Sequence, residues 1–305
     1  SKIESVLGPM ETSDLGFTLS HEHIVVSSAG IPQIYPEFIQ REDSITEAIK
    51  VLSEAKNEGL DSIIDVTTLD LGRDIDMLAK VSKESGVNII CATGTWRDIP
   101  RVFWNASVDS VATLYKREIT TGIEGTDIKA GIIKVANVGG VTREGEVILR
   151  AAARAQKETG VPISTHTWAP DVGEQQVRVF EDEKVDLNRV YIGHSNDTMD
   201  IHYLESLLDK GVWIGLDRYG TMETPNWEQR TDTAMKLIAD GYGKRIMLGH
   251  DSVRLSIDSK TSRSKYNPDG YLFITRQVLP RLKDLGASEE DIQNIMVDNP
   301  RRFFE

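Results

Sequence analysis

The sequence predicts a (β/α)8 barrel, an α/β fold, on three observations: eight short β-branched runs, helix-period segments between most of them, and reactive side chains at the carboxyl ends of the runs. A length of 305 residues suits a single barrel domain spanning 1–305, and no internal linker interrupts it. In chain order, FTLSHEH (17–23) reads as the first strand and ends in two histidines. EAIKVLSEAKNEG follows with apolar residues at helical spacing and stops at a glycine suited to a helix C-terminus, leading into DSIIDVTT (61–68). NIICATGT (88–95) and KAGIIKVA (129–136) are the third and fourth strands, and EVILRAAARAQKETG carries the chain helically to VPISTHT (161–167). RVYIGHS (189–195), the helical DIHYLESLLDKG, VWIGLD (212–217), the helical TDTAMKLIADG and RIMLGHD (245–251) complete the pattern. The stretch from Ser252 to Gly270 predicts one long surface loop after the eighth strand, and loops of that length are usually functional. A doubly wound open sheet shares the alternation but calls for a Gly-rich phosphate-binding turn after the first strand, which is missing here.

Composition narrows the partners. Hydrophobic residues at 39% and charged residues at 27% describe a globular chain rather than a disordered or collagen-like one. With 35 Lys and Arg against 48 Asp and Glu, the net charge of −13 and the lack of any basic run exclude a nucleic-acid footprint and an anionic-membrane surface. The single cysteine, Cys91, sits in a β-branched run and reads as a buried apolar residue. No apolar stretch approaches the ~20 residues that span a bilayer, and SKIESVLGPM lacks a signal-peptide pattern, so a cytoplasmic location is expected.

Five of six histidines, His21, His23, His166, His194 and His250, fall at predicted strand ends. In His21-Glu22-His23 the imidazoles are two residues apart, so both face the barrel interior while Glu22 points toward the helices. A lone strand-end histidine is more often a core residue than a ligand, but an HxH pair joined by His166 and His194 points to a metal. Asp251, closing the eighth strand, supplies a harder oxygen donor and a possible proton acceptor; its plainer reading is a cap or a loop ion pair. His250 alternates with Asp251 and faces outward, and His202 lies on a helix surface. Lys134 should face the interior near the histidines. Burial beside cations favours its neutral amine, which can add carbon dioxide to form a bridging carbamate; pairing with an internal carboxylate is the equal alternative.

These residues resemble those of the phosphotriesterase-like members of the amidohydrolase superfamily, both bacterial phosphotriesterases and phosphotriesterase-like lactonases. The resemblance covers nearly the whole chain and rests on TLSHEH, KAGIIKVA, ISTHT, IGHSNDT, GLDRYG and GHD. It implies two divalent metal ions, zinc first with cobalt, manganese or iron also suited. His21, His23 and Asp251 would hold the more buried ion, His166 and His194 the more exposed one, and carboxylated Lys134 and a hydroxide would bridge them. That hydroxide would attack a polarised carbonyl or phosphoryl centre, with Asp251 taking the proton and Asp197 next in line; Asp197 also reads as a plain turn residue.

Substrate signals divide. Arg218 stands where phosphotriesterases carry a histidine, and the short loop after it is similar to the lactonases. Trp96 and YNPDGYLFI look like phosphotriesterase features. Trp96, Tyr219 and the last loop with Arg254 are expected to wall the substrate pocket. The leading expectation is a lactonase acting on substrates such as acyl-homoserine lactones, with phosphotriesterase activity besides. A dedicated organophosphate hydrolase, a non-catalytic metal-binding barrel and a phosphate-binding isomerase are the alternatives, and the resemblance implies a homodimer.

Overall fold

A computed structural model describes residues 1–168, 170–220, 223–252 and 267–305. An antiparallel hairpin that the sequence reading did not anticipate comes first, formed by β1 (Lys2–Ser5) and β2 (Gly8–Glu11). All eight predicted runs are strands: β3 (Thr18–Glu22), β4 (Ser62–Asp65), β5 (Asn88–Thr95), β6 (Ile132–Val138), β7 (Ile163–Trp168), β8 (Val190–Ile192), β9 (Trp213–Leu216) and β10 (Ile246–Leu248). They pair in parallel in chain order. Backbone bonds from Asp251 N to His21 O (3.0 Å) and from His23 N to Ser252 O (2.8 Å) join the end of β10 to β3 and close the barrel at its carboxyl rim.

Around the sheet lie a short α1 (Ile31–Ile34) and the longer α2 (Arg41–Asn57), α3 (Ile75–Ser85), α4 (Val108–Thr120), α5 (Arg143–Thr159), α6 (Val172–Asp182), α7 (Ile201–Asp209) and α8 (Trp227–Ala239). Side-chain caps start several of them: Asp74, Ser107, Thr142 and Asp200 each accept from a backbone N–H three residues on, satisfying a donor that the first turn leaves free. Gly86 and Gly160 end α3 and α5 in the left-handed conformation. Among the described residues no helix is long and apolar enough to cross a membrane.

Strand alternation divides the apolar residues into two cores. Ile89, Cys91, Ile133, Val135, Val190, Ile192 and Ile214 face the helices and pack in the larger one. Burial pushes the Cys91 thiol up to about 12, in keeping with an inert structural cysteine. Ile90, Ala92, Ile132, Tyr191, Trp213 and Met247 point into the barrel and fill its lower half. Ile3 of the hairpin and Phe303 and Phe304 of the C-terminal helix Asn299–Phe304 join this inner core. Phe303 packs its ring 6.1 Å from Tyr191 and 6.0 Å from Trp213. On β6 the inward sequence runs Ile132, Lys134, Ala136, so the lysine stands one layer above the apolar floor. Beside it on β5, Gly94 has φ +114°, and a Cβ there would lie 1.9 Å from the Lys134 carbonyl oxygen. Glycine is what lets the two strands approach at that level.

Phe303→Ala removes the largest contribution of the C-terminus to the inner core. It is expected to lower stability by about 3–5 kcal/mol, read from the shift in urea unfolding midpoint at unchanged slope.

Candidate metal centre

The first strand does not alternate regularly. Its register against β4 shifts between Leu19 and Glu22. Leu19 packs outward in the helix-facing core, whereas the Ser20 hydroxyl bonds Tyr191 Oη inside the barrel at 2.9 Å and His21 also points inward. Two consecutive inward residues require this bulge, after which Glu22 faces out and His23 faces in. The expected placement of His21, Glu22 and His23 is therefore met through a backbone irregularity.

Six predicted ligand residues converge above the inner core, and all are buried: His21, His23, Lys134, His166, His194 and Asp251. Asp251 Oδ1 lies 3.5 Å from His21 Nε2 and 3.4 Å from His23 Nε2. Donor atoms bound at about 2.0–2.1 Å to a tetrahedral ion stand about 3.3 Å apart, so this trio has the spacing of a metal site. Lys134 Nζ is 3.1 Å from His21 Nε2, and His194 Nε2 is 3.9 Å from Asp251 Oδ2. The rings of His166 and His194 meet edge to face with centroids 4.5 Å apart.

Burial disfavours the charged form of three of these groups. Burial, with Lys134 next, pushes His21 down to about 3. Burial and the neighbouring His194 hold His166 well below the usual imidazole range. Burial brings Lys134 down to about 8 against the opposing pull of Asp217 and Asp251. His166 Nε2 is buried without a hydrogen-bond partner among the described residues, and the Lys134 amine meets a histidine rather than a carboxylate. The depressed imidazoles of His21 and His166 and the orphaned buried nitrogen of His166 are the chemistry a divalent cation would satisfy, so the residues fit a metal centre.

The surroundings orient the ligands. His23 Nδ1 bonds Thr67 Oγ1 at 2.8 Å. Asp217, at the end of β9, accepts from His194 Nδ1, His194 N and Tyr191 Oη, each at 2.8 Å, and lies 2.9 Å from His21 Nδ1. Although burial alone would raise its pKa, His21 and His194 hold Asp217 well below the usual carboxylate range. The sequence reading missed Asp217 and Thr67. Asp217 shares the inward parity of Trp213 and Gly215, which was the available signal. His250 is outward-facing, as expected: Ile274 N donates to its Nε2 (3.0 Å), so its Nδ1 donates to Glu22 Oε1 (2.7 Å). Glu22 also accepts from His250 N (2.8 Å) and Ser252 N (3.0 Å). His202 is exposed.

Arg218 lies beside the centre, its Nε 3.8 Å from Asp251 Oδ2. Burial works against its charge, yet Asp251, Asp197 and Glu223 outweigh that and raise its pKa. Asp197 is bound to Arg230 Nη1 at 2.8 Å and lies 3.9 Å from Arg218 Nη1. Arg218 thus contacts both carboxylates, and arginine does not give up its proton, so a relay from Asp251 to Asp197 does not run through that side chain. Trp96 is half-buried and directs Nε1 at His166 Nδ1, 3.5 Å away, beside the site as expected. Tyr219 is placed otherwise than expected: its ring packs in the helix-facing core and its hydroxyl meets Thr231 Oγ1 of α8 at 3.2 Å. The residue after a strand end can turn outward as readily as inward, which the sequence pattern did not resolve. Arg254 and most of the predicted last loop lie outside the described residues.

A parallel barrel carrying histidines, a lysine and an aspartate at the carboxyl ends of its strands defines a metal-dependent hydrolase architecture. The phosphotriesterase family pattern matches residues 1–304, and the chain belongs to that family of hydrolases. It is 39% identical over 304 residues to an aryldialkylphosphatase of Saccharolobus solfataricus, covering 97% of this chain and 96% of the relative. A phosphotriesterase homology protein of Mycobacterium tuberculosis is 38% identical over 318 residues, covering 100% and 98%. An N-acetyltaurine hydrolase of Dictyostelium discoideum is 32% identical over 271 residues, covering 84% and 72%.

Glu22→Gln would turn an amide N–H toward a backbone or imidazole donor in the closing seam. A stability loss of about 1–3 kcal/mol is expected in chemical denaturation, with weakened metal retention in dialysis.

Proposed function

We propose that the protein is a binuclear metal-dependent hydrolase that opens lactones, acyl-homoserine lactones among them, and hydrolyses aryl dialkyl phosphates as a second activity. The observation that carries this reading is the convergence of four buried histidines, the buried Lys134 amine and Asp251 on one layer. His21, His23 and Asp251 would hold one cation, His166 and His194 the other, and Lys134, carboxylated, would serve both. Cations held there supply Lewis acidity and an acidified water, with zinc the first candidate and cobalt, manganese or iron also compatible with the donor set.

The chain's own groups do the rest. In this reading Asp251 would take a proton from the attacking water, and Arg218, 3.8 Å from its Oδ2, would stabilise its ionised form before the transfer. Asp197 and Glu223 hold the guanidinium in position. Trp96 offers an aromatic wall against the His166 side of the site. Arg218, standing where phosphotriesterases carry a histidine, and the short loop after it support the lactone reading. The name of the Saccharolobus relative supports the second reading, a dedicated organophosphate hydrolase.

The test compares kcat/KM of metal-loaded protein on graded acyl-homoserine and simple lactones with that on an aryl dialkyl phosphate, beside Lys134→Ala prepared identically. Faster lactone turnover is expected, falling by about 100-fold or more in the mutant. Faster phosphotriester turnover would establish the second reading, and equal activity of mutant and wild type would remove Lys134 from the centre. Removal of metal by chelation is expected to abolish turnover, and its return to restore it.

A further inference from the structure

Asp217 is a fully buried carboxylate that accepts three hydrogen bonds and makes a fourth close contact, an ion pair with His21 Nδ1, a buried atom with no hydrogen-bond partner of its own among the described residues. Oδ1 takes His194 N and His194 Nδ1 at 2.8 Å. Oδ2 takes Tyr191 Oη at 2.8 Å and lies 2.9 Å from His21 Nδ1. Asp217, His21 and His194 could themselves be taken for a metal trio. Their closest atoms are 2.8–2.9 Å apart, the distance of a charge-assisted hydrogen bond and shorter than the about 3.3 Å between donors around a tetrahedral ion. Both lone pairs that could face such an ion are already occupied by Tyr191 and the His194 backbone. The geometry therefore describes an anchor.

We propose that Asp217 is a positioning residue shared by the two halves of the centre, fixing His21 and His194 as Nδ1–H tautomers so that both Nε2 lone pairs face the cations. The inference rests on the binuclear reading above, in which His21 belongs to the more buried half and His194 to the more exposed one. A single carboxylate then sets one ligand of each half, and it does so from below, through Tyr191, whose hydroxyl is in turn bonded to Ser20 on the bulged first strand. An acid is required here because only a carboxylate presents two acceptors.

Asp217→Asn makes the requirement visible. The amide has one acceptor and one donor, and the His194 backbone N–H cannot reverse its role, so the carboxamide oxygen must stay on the His194 side. The NH2 group then faces His21 Nδ1, which can answer only as an acceptor, and the His21 proton moves to Nε2, where the lone pair for the cation had been. The variant is expected to lose the ion of the His21, His23 and Asp251 half and to keep the other.

The experiment loads chelator-stripped full-length protein with zinc and measures metal per chain and affinity by competition with a chromophoric chelator. Imidazole 15N shifts of the stripped proteins report the tautomers, and far-UV circular dichroism reports the fold. Wild type is expected to take up about two ions with both His21 and His194 protonated at Nδ1. Asp217→Asn should take up about one, with the other weakened by about 10-fold or more, and with His21 alone switched to Nε2–H. Two ions at wild-type affinity in the variant, or an unchanged His21 tautomer, would overturn the proposal and leave the binuclear reading standing. Fewer than two ions in wild type would overturn both. Should the variant not fold, the wild-type spectrum decides alone: Nε2–H on His21 or His194 in the stripped protein refutes the anchor, and Nδ1–H on both upholds it.

Discussion

The seam where the last strand meets the first is the contact on which the candidate centre depends. Asp251 N bonds the His21 carbonyl, and His23 N bonds the Ser252 carbonyl. On the outer side of the same seam, Glu22 collects the His250 and Ser252 backbone amides and the His250 imidazole. The trio with metal-site spacing, His21, His23 and Asp251, has its members on opposite sides of this join. Asp251 reaches the two histidines only across this join, so barrel closure is what completes the trio, and the buried glutamate outside the barrel serves the histidines inside it.

Burial does chemical work at this seam. An imidazole in water is partly protonated near neutrality, and a lysine fully so. In the upper layer of the barrel, desolvation depresses His21, His166 and Lys134, and repulsion from neighbouring cationic groups adds to it at the two histidines. At His21 and His166 the lone pair is favoured over the charge. Negative charge enters at two levels with separate tasks: Asp217 below, saturated by donors, and Asp251 above, facing the histidine Nε2 atoms and Arg218.

Much of this was legible in the sequence because it follows from periodicity. Eight β-branched runs with helical intervals specify the barrel, and residues at the carboxyl end of a run are confined to one rim. That is why His21, His23, Lys134, His166, His194 and Asp251 are found together. What escaped depends on local departures from periodicity or on contacts between distant elements. Strict alternation from Leu19 would have turned His21 outward, and only the bulge at Ser20 reconciles the two. Tyr219 follows the strand end, where parity no longer constrains direction, and it turned to α8. The N-terminal hairpin has short, mixed segments whose stability comes from packing beneath the barrel rather than from their own pattern. Asp217 was missed for a different reason: its parity with Trp213 and Gly215 places it inside the barrel, but nothing in the sequence names the two imidazoles it holds.

The inner core of Ile90, Ile132, Tyr191, Trp213, Met247 and Phe303, sealed by Ile3 and Phe304, lies below the layer that carries the candidate chemistry. This vertical division separates what keeps the chain folded from what selects a substrate. Loops at the upper rim can be lengthened, shortened or recharged without touching the plug formed by the two ends of the chain. A lineage built on such a scaffold can explore leaving groups while its folding reserve stays intact.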